Sequence, residues 1–233
     1  MISAFEQCGI EITLFYHDAI RDYPSQAFDA YFDSLAVGES YSFVYSFNYY
    51  PAVSNGCMRN GLKYLAFVYD NPLLSLYSYT MINPCNYVFL FDKTCYETFA
   101  REGIPTVYYL PLCANTGRLS QMQLSDQQAS ILHSDVSFVG SLYNEDHNLL
   151  DRMTDLDDYT KGYLDAIMNA QQKVNGYFFV EEVLTPSIVD AMKRSLEYKP
   201  IPGGTETPAY VYANFFLARK ITALERQRLL YAV

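Results

Sequence analysis

Four times in the first 110 residues a helix-type stretch gives way to glycine and then to an apolar, β-type run. Gly9 precedes Ile10–Tyr16, Gly38 precedes Ser42–Phe47, Gly61 precedes Lys63–Tyr69, and Gly103 precedes Thr106–Leu110. Glycine closes helices in the left-handed conformation, so each is expected just past a helix end, feeding a strand. A further run, Tyr87–Phe91, follows Asn83-Pro84 and ends at Asp92. Thr94 and Glu97 behind it have capping-box spacing for a helix that finishes at Gly103. Near-continuous apolar strands alternating with helices predict a parallel sheet covered on both faces. The expected fold is α/β: an open, doubly wound, Rossmann-like sheet. A closed (β/α)₈ barrel needs about 250 residues of unbroken alternation, and here the alternation stops near residue 142.

The remaining pattern divides the chain. Residues 1–112 form the first domain, and 113–134, polar and rich in glutamine, read as a hinge. Residues 135–233 open on a strand, Asp135–Val139, ending at Gly140-Ser141, and are helical thereafter. Leu149, Leu150, Met153, Leu156, Tyr163, Leu164, Ile167 and Met168 share a helical face, with acidic residues from Glu145 to Asp165 turned outward. Thr185-Pro186 and Thr207-Pro208 each read as an N-cap followed by proline at the first helical position. A helix ending at Gly9 leaves no room for the strand that normally precedes it, so the first domain is expected to start beyond its own first strand. The second is expected to be truncated too. A sheet without its central strand is expected to be marginally stable or to self-associate through its open edge.

Composition narrows the function. The chain of 233 residues is 50% hydrophobic and 18% charged, with a formal net charge of −10, which disfavours binding to phosphate backbones. No apolar run is long enough to span a bilayer and no signal segment opens the chain, so a cytoplasmic protein is expected. Five scattered cysteines fit reduced thiols, and three histidines without ligand spacing argue against zinc. No GxGxxG, P-loop or GxSxG motif is present. His17 reads as a surface residue or a cap.

In open α/β sheets ligands bind outside the carboxyl ends of the strands. That places Asn48, Tyr49, Asp70, Asn71 and Asp92 on one rim of the first domain, with Tyr50, Tyr77 and Tyr79 as further aromatic neighbours. Gly140 and Ser141, after their strand, are candidates for phosphate contact through backbone N–H groups, facing the rim across the hinge. Asp70 is the candidate general base, and capping of the turn before Pro72 is the competing role.

The run from Phe47 to Phe99, FNYYPAVSNGCMRNGLKYLAFVYDNPLLSLYSYTMINPCNYVFLFDKTCYETF, resembles the N-terminal domain of CgeB-like (spore-maturation-protein-like) glycosyltransferases. So do VYYLPLCANTGRL, DVSFVGSLYNEDHNLLDRM and ETPAYVYANFFLARKITALERQRLL. The resemblance implies a GT-B architecture, two Rossmann-like domains, with acceptor on the first and nucleotide-sugar donor on the second. It implies a nucleotide-sugar substrate, a sugar, protein or polysaccharide acceptor, and no further cofactor or metal. Asp70 would be catalytic, Asn48, Tyr49, Asn71 and Asp92 acceptor-binding, and Gly140 and Ser141 donor phosphate-binding. Activity is expected of a longer parent and not of these residues alone. The alternative is a non-catalytic sugar- or nucleotide-binding module.

Overall fold

A computed structural model describes residues 2–37, 40–143 and 148–232. Gly38 and Glu145, named above, lie outside them. The chain divides into two compact units: residues 1–111 with 201–205, and residues 112–200 with 206–233.

The first unit is α/β. Its elements are α1 (Ile2–Gln7), α2 (Gln26–Ala36), β1 (Val44–Phe47), α3 (Pro51–Asn60), β2 (Tyr64–Val68), β3 (Asn86–Leu90), α4 (Lys93–Arg101) and β4 (Val107–Tyr109). The strands form one parallel sheet in the order β1-β2-β3-β4. Several helix ends have a local cause. Ser25 Oγ accepts from Phe28 N–H to start α2, and Gly61 at φ 65° closes α3. Gly9 and Gly103 hold positive φ as expected, at 73° and 76°. The cap of α4 is Asp92, whose Oδ1 accepts from Cys95 N–H at 2.6 Å; the expected Thr94–Glu97 box does not form.

Sequential strand order sets which face is covered. Right-handed crossovers that always advance in one direction leave every connecting element on the same side. Tyr64, Ala66, Val68, Val88, Leu90 and Val107 accordingly join one core cluster with Phe28 and Phe32 of α2, Val53 and Cys57 of α3, and Phe99 of α4. The alternating residues point the other way and are half-buried or exposed. In register they make an aromatic row, Phe47–Phe67–Phe89–Tyr108, across all four strands. The expected helical cover on both faces is thus realised on one. On the other, α1 packs Phe5 against Tyr45, with ring centres 5.2 Å apart.

Two expected strands are absent. Ile10–Tyr16 and Asp135–Val139 carry strand-like apolar patterns but take no ladder partner among the described residues. Val136 and Val139 are 71% and 99% exposed. Side-chain alternation alone does not make a strand when no neighbouring edge accepts its hydrogen bonds.

Close approach of α3 to α2 depends on Gly56. A Cβ there would lie 2.6 Å from Cδ1 of Phe32, a buried ring. Alanine normally improves a helix interior by about 1 kcal/mol, but overpacking costs about 1–3 kcal/mol. Gly56→Ala is expected to lower Tm by several degrees in a thermal melt. An unchanged or raised Tm would show that the Phe32 ring yields freely.

The second unit is helical. It comprises α5 (Thr116–Ser120), α6 (Asp126–Leu132), α7 (Asp158–Gln171), α8 (Val180–Val183), α9 (Pro186–Ser195), α10 (Pro208–Val211), a π-helical turn Tyr212–Leu217 and α11 (Ala218–Leu230). Thr185 and Thr207 cap α9 and α10 as expected, accepting from Ile188 and Tyr210 N–H. Of the helix or broken helix expected over Leu149–Met168, the regular part starts at Asp158. Its N-cap, Asp157, accepts from the Thr160 backbone and hydroxyl, which holds its carboxyl below the usual range. Asp151 pairs with Lys220 at 2.7 Å. Arg226 lies 4.2 Å over the Tyr143 ring and donates to Ser141 O. Ile201–Thr205 belongs instead to the first unit, where Gly204 bridges Ser78 and Thr205 N–H donates to Tyr77 O at 2.9 Å.

Candidate functional site

Because all four strands are parallel, their carboxyl ends lie at one end of the sheet. Asn48 follows β1, Asp70 and Asn71 follow β2, and Asp92 follows β3. Asn48 builds this rim. Its backbone takes a positive φ of 60°, a conformation asparagine tolerates better than most residues. Its Oδ1 accepts from Tyr69 N–H at 2.9 Å and Asp70 N–H at 3.1 Å, and its Nδ2 donates to Asp70 Oδ2 at 2.8 Å. One side chain therefore ties the ends of β1 and β2 together and holds the Asp70 carboxylate by one oxygen.

Asp70 is exposed, and among the described residues its other oxygen has no hydrogen bond. It caps no backbone N–H, so the competing role of a turn cap is not what its side chain does. An exposed carboxylate oxygen fixed through its partner can accept a proton or a hydroxyl hydrogen bond from a ligand. Asn71 beside it is also exposed.

The other rim residues differ. Asp92 is half-buried and occupied in capping α4. Tyr49 is a correction: it is 1% exposed, inside the core, with Oη 2.7 Å from Thr80 Oγ1. The left-handed turn at Asn48 redirects the chain inward, so the residue after it enters the core. Burial pushes the Tyr49 hydroxyl up to about 12. Tyr50 is half-buried at the N-terminus of α3, and Tyr77 packs on Phe99 with ring centres 5.3 Å apart. Tyr79 is exposed but engaged, its hydroxyl 2.5 Å from that of Tyr23.

Aromatic surface next to the rim comes from residues not singled out in the sequence, Phe47 and Tyr69. They are 47% and 55% exposed and meet edge-to-face at 6.3 Å. Their signal was present in the period of two: each flanks a rim residue and points away from the core side of its strand.

Gly140 and Ser141 follow no strand and precede no helix N-terminus among the described residues. The backbone donors expected to cradle a phosphate are therefore not assembled there. The segment turns locally, with Ser141 Oγ accepting from Tyr143 N–H at 2.9 Å. His17 is a cap: Nδ1 accepts from Ala19 N–H at 3.2 Å. All five cysteines are free thiols, and burial pushes Cys95 up to about 11. Among the described residues no group of three His, Cys, Asp or Glu side chains could hold a metal ion, and no helix is long and apolar enough to cross a membrane. No protein-family model, curated protein or solved structure matches the chain.

Proposed function

We propose that the chain belongs to a GT-B-type glycosyltransferase of the CgeB-like kind, with the strand-end rim of the first unit taking the sugar acceptor. The observation that carries this reading is the Asn48–Asp70 pair: a carboxylate positioned through one oxygen and open at the other, beside exposed aromatic rings. Aromatic faces stack on sugar rings while amides and carboxylates bind hydroxyls. In the proposed step Asp70 takes the proton of an acceptor hydroxyl as that oxygen attacks the anomeric carbon of a nucleotide sugar. The nucleotide leaves with the electrons of the broken bond. Asn48 is a positioning residue.

The test is transfer or hydrolysis of labelled nucleotide sugars across a donor panel by the full-length parent, in which activity is expected. Asp70→Asn should keep the thermal melt unchanged and lower turnover by about 10²-fold, the lower end for a general base. A lowered melt with unchanged turnover would make Asp70 structural. Absence of turnover across the panel would overturn the enzyme, and saturable binding without turnover would favour the non-catalytic sugar- or nucleotide-binding module.

A further inference from the structure

Tyr79 opens the turn Tyr79–Ile82 on the connection from β2 to β3, and it is exposed. Its hydroxyl meets that of Tyr23 at 2.5 Å. Asn55 of α3 spans the two oxygens: its Nδ2 donates to Tyr23 Oη at 2.8 Å and reaches Tyr79 Oη at 3.5 Å. The amide is oriented from behind. Asn83 Nδ2 donates to Asn55 Oδ1 at 3.0 Å and to Ser54 Oγ at 3.0 Å, so the N–H groups of Asn55 are the ones left to face the tyrosines. Ser54 in turn donates to the buried Asn86. Gly203, in the segment that returns to the first unit, lies against the Tyr79 ring, where a Cβ would stand 2.6 Å from Cδ1. The exposed ring is thus held in place by neighbours within its own unit.

This arrangement makes the two hydroxyls unequal. Tyr23 is half-buried and Tyr79 exposed, so the first proton to leave the pair puts the charge on Tyr79, where water reaches it. The phenolate so formed accepts from Tyr23 O–H and from Asn55 N–H, and donors to the charged form favour it. The two hydroxyls titrate as a pair and move apart. The hydrogen bond from Tyr23 holds Tyr79 below the ordinary tyrosine range, and burial pushes Tyr23 up. Tyr49, the other tyrosine acting on Tyr23, is pushed up to about 12 by its own burial and stays neutral while Tyr79 titrates.

We propose that Tyr79 is a covalent modification site, its hydroxyl oxygen taking an acyl group from an activated acyl donor. In the step the Tyr79 phenolate attacks the acyl carbon. The new C–O bond makes an aryl ester, and the bond from that carbon to the leaving group breaks. The leaving group departs with the bonding electrons, and the Tyr79 proton goes to water. Tyr23 and Asn55 are positioning residues, which hold the charge of the phenolate before attack. Each tenfold gain in phenolate is partly offset by the lower nucleophilicity of a more acidic oxygen, as it is for thiolates. The proposal is independent of the glycosyltransferase reading.

The probe is N-acetylimidazole, added to the whole chain at about pH 7.5, with each acetylated tyrosine located by peptide mass mapping. Tyr79 is expected to react about three times faster or more than Tyr159 and Tyr231, which are more exposed. Hydroxylamine, which cleaves aryl esters and spares lysine amides, should release the group. Tyr23→Phe should bring Tyr79 down to the rate of Tyr159 and Tyr231. Exposure alone would leave that rate unchanged or raise it, because the variant uncovers the Tyr79 oxygen. If the variant fails to fold, the pH profile of the unaltered chain makes the test: the rate at Tyr79 should reach half its plateau below pH 10, where tyrosine ordinarily titrates. The proposal is overturned by a Tyr79 rate no higher than that of Tyr159 and Tyr231, by a half-plateau at or above pH 10, or by an unchanged rate in a folded Tyr23→Phe. Acetyl found on Tyr23 in place of Tyr79, or a group that hydroxylamine leaves behind, also overturns it.

Discussion

Asn86→Leu is expected to lower the melting temperature of the first unit by about 15 °C or more, the largest effect of any single substitution considered. Asn86 is 2% exposed at the start of β3. Its Nδ2 donates to Thr80 O at 2.8 Å and Met81 O at 3.3 Å, and its Oδ1 accepts from Ser54 Oγ at 2.8 Å. Asn83 Nδ2 reaches the same Ser54 Oγ at 3.0 Å, and Thr106 Oγ1 donates to Met81 O at 2.5 Å. One buried amide thus joins α3, the turn before β3, β3 itself and the approach to β4. Leucine matches its shape but removes both donors and the acceptor. Each buried polar group left unsatisfied costs about 1–3 kcal/mol. Two or three such groups amount to about 3–5 kcal/mol, against a typical stability of about 5–15 kcal/mol. At about 4–8 °C per kcal/mol the melt moves far enough to measure without ambiguity. Ser54→Ala, which removes one hydroxyl, should cost about 1–2 kcal/mol. A shift below about 3 °C for Asn86→Leu would mean that water satisfies the orphaned groups.

Raising the pH from 10 to 12 is expected to unfold the same unit. Burial pushes Tyr49 up to about 12 and drives Tyr64, which is fully buried, further in the same direction. Tyrosines of the unfolded chain titrate near 10. Below that pH both states hold their protons and the contribution to stability is complete. Above it the unfolded chain releases protons that the folded core retains, so stability falls with rising pH until the folded-state value is passed. The change on Tyr49 alone corresponds to about 3 kcal/mol. Ultraviolet absorbance of tyrosinate and far-ultraviolet circular dichroism, followed together, check this. The buried tyrosines should ionise as the dichroism is lost. Complete ionisation of all 23 tyrosines near pH 10 with the dichroism intact would contradict the packing of Tyr49 and Tyr64.

What could be read from the sequence was decided by the kind of signal. Continuous apolar runs located β1 to β4, and Gly61 and Gly103, both at positive φ, marked the helix ends before β2 and β4, because these signals report burial and local backbone. The same pattern failed at Ile10–Tyr16 and Asp135–Val139, since alternation describes side chains while a strand needs an edge to bond. Cover on both faces was inferred from strand composition, but the face of each helix follows from strand order, which no single run encodes. At the site, Asn48, Asp70 and Asn71 were legible as polar ends of apolar strands. Tyr49 was not, because its burial follows from the left-handed turn of its neighbour. Asp92 and Thr94 both suit a helix start, and the choice between them rests on geometry two residues apart.

The claim that the Asn48–Asp70 rim is the ligand site can be tested residue by residue. Amide spectra of the ¹⁵N-labelled protein, titrated with nucleoside diphosphate sugars and with free mono- and disaccharides, report where each binds. Saturable shifts concentrated at Asn48, Tyr69, Asp70 and Asn71, and lost in Asp70→Ala with the remaining spectrum preserved, are the predicted result. Shifts confined to the opposite strand ends around Asn86, or no saturable shift with any sugar, would contradict it.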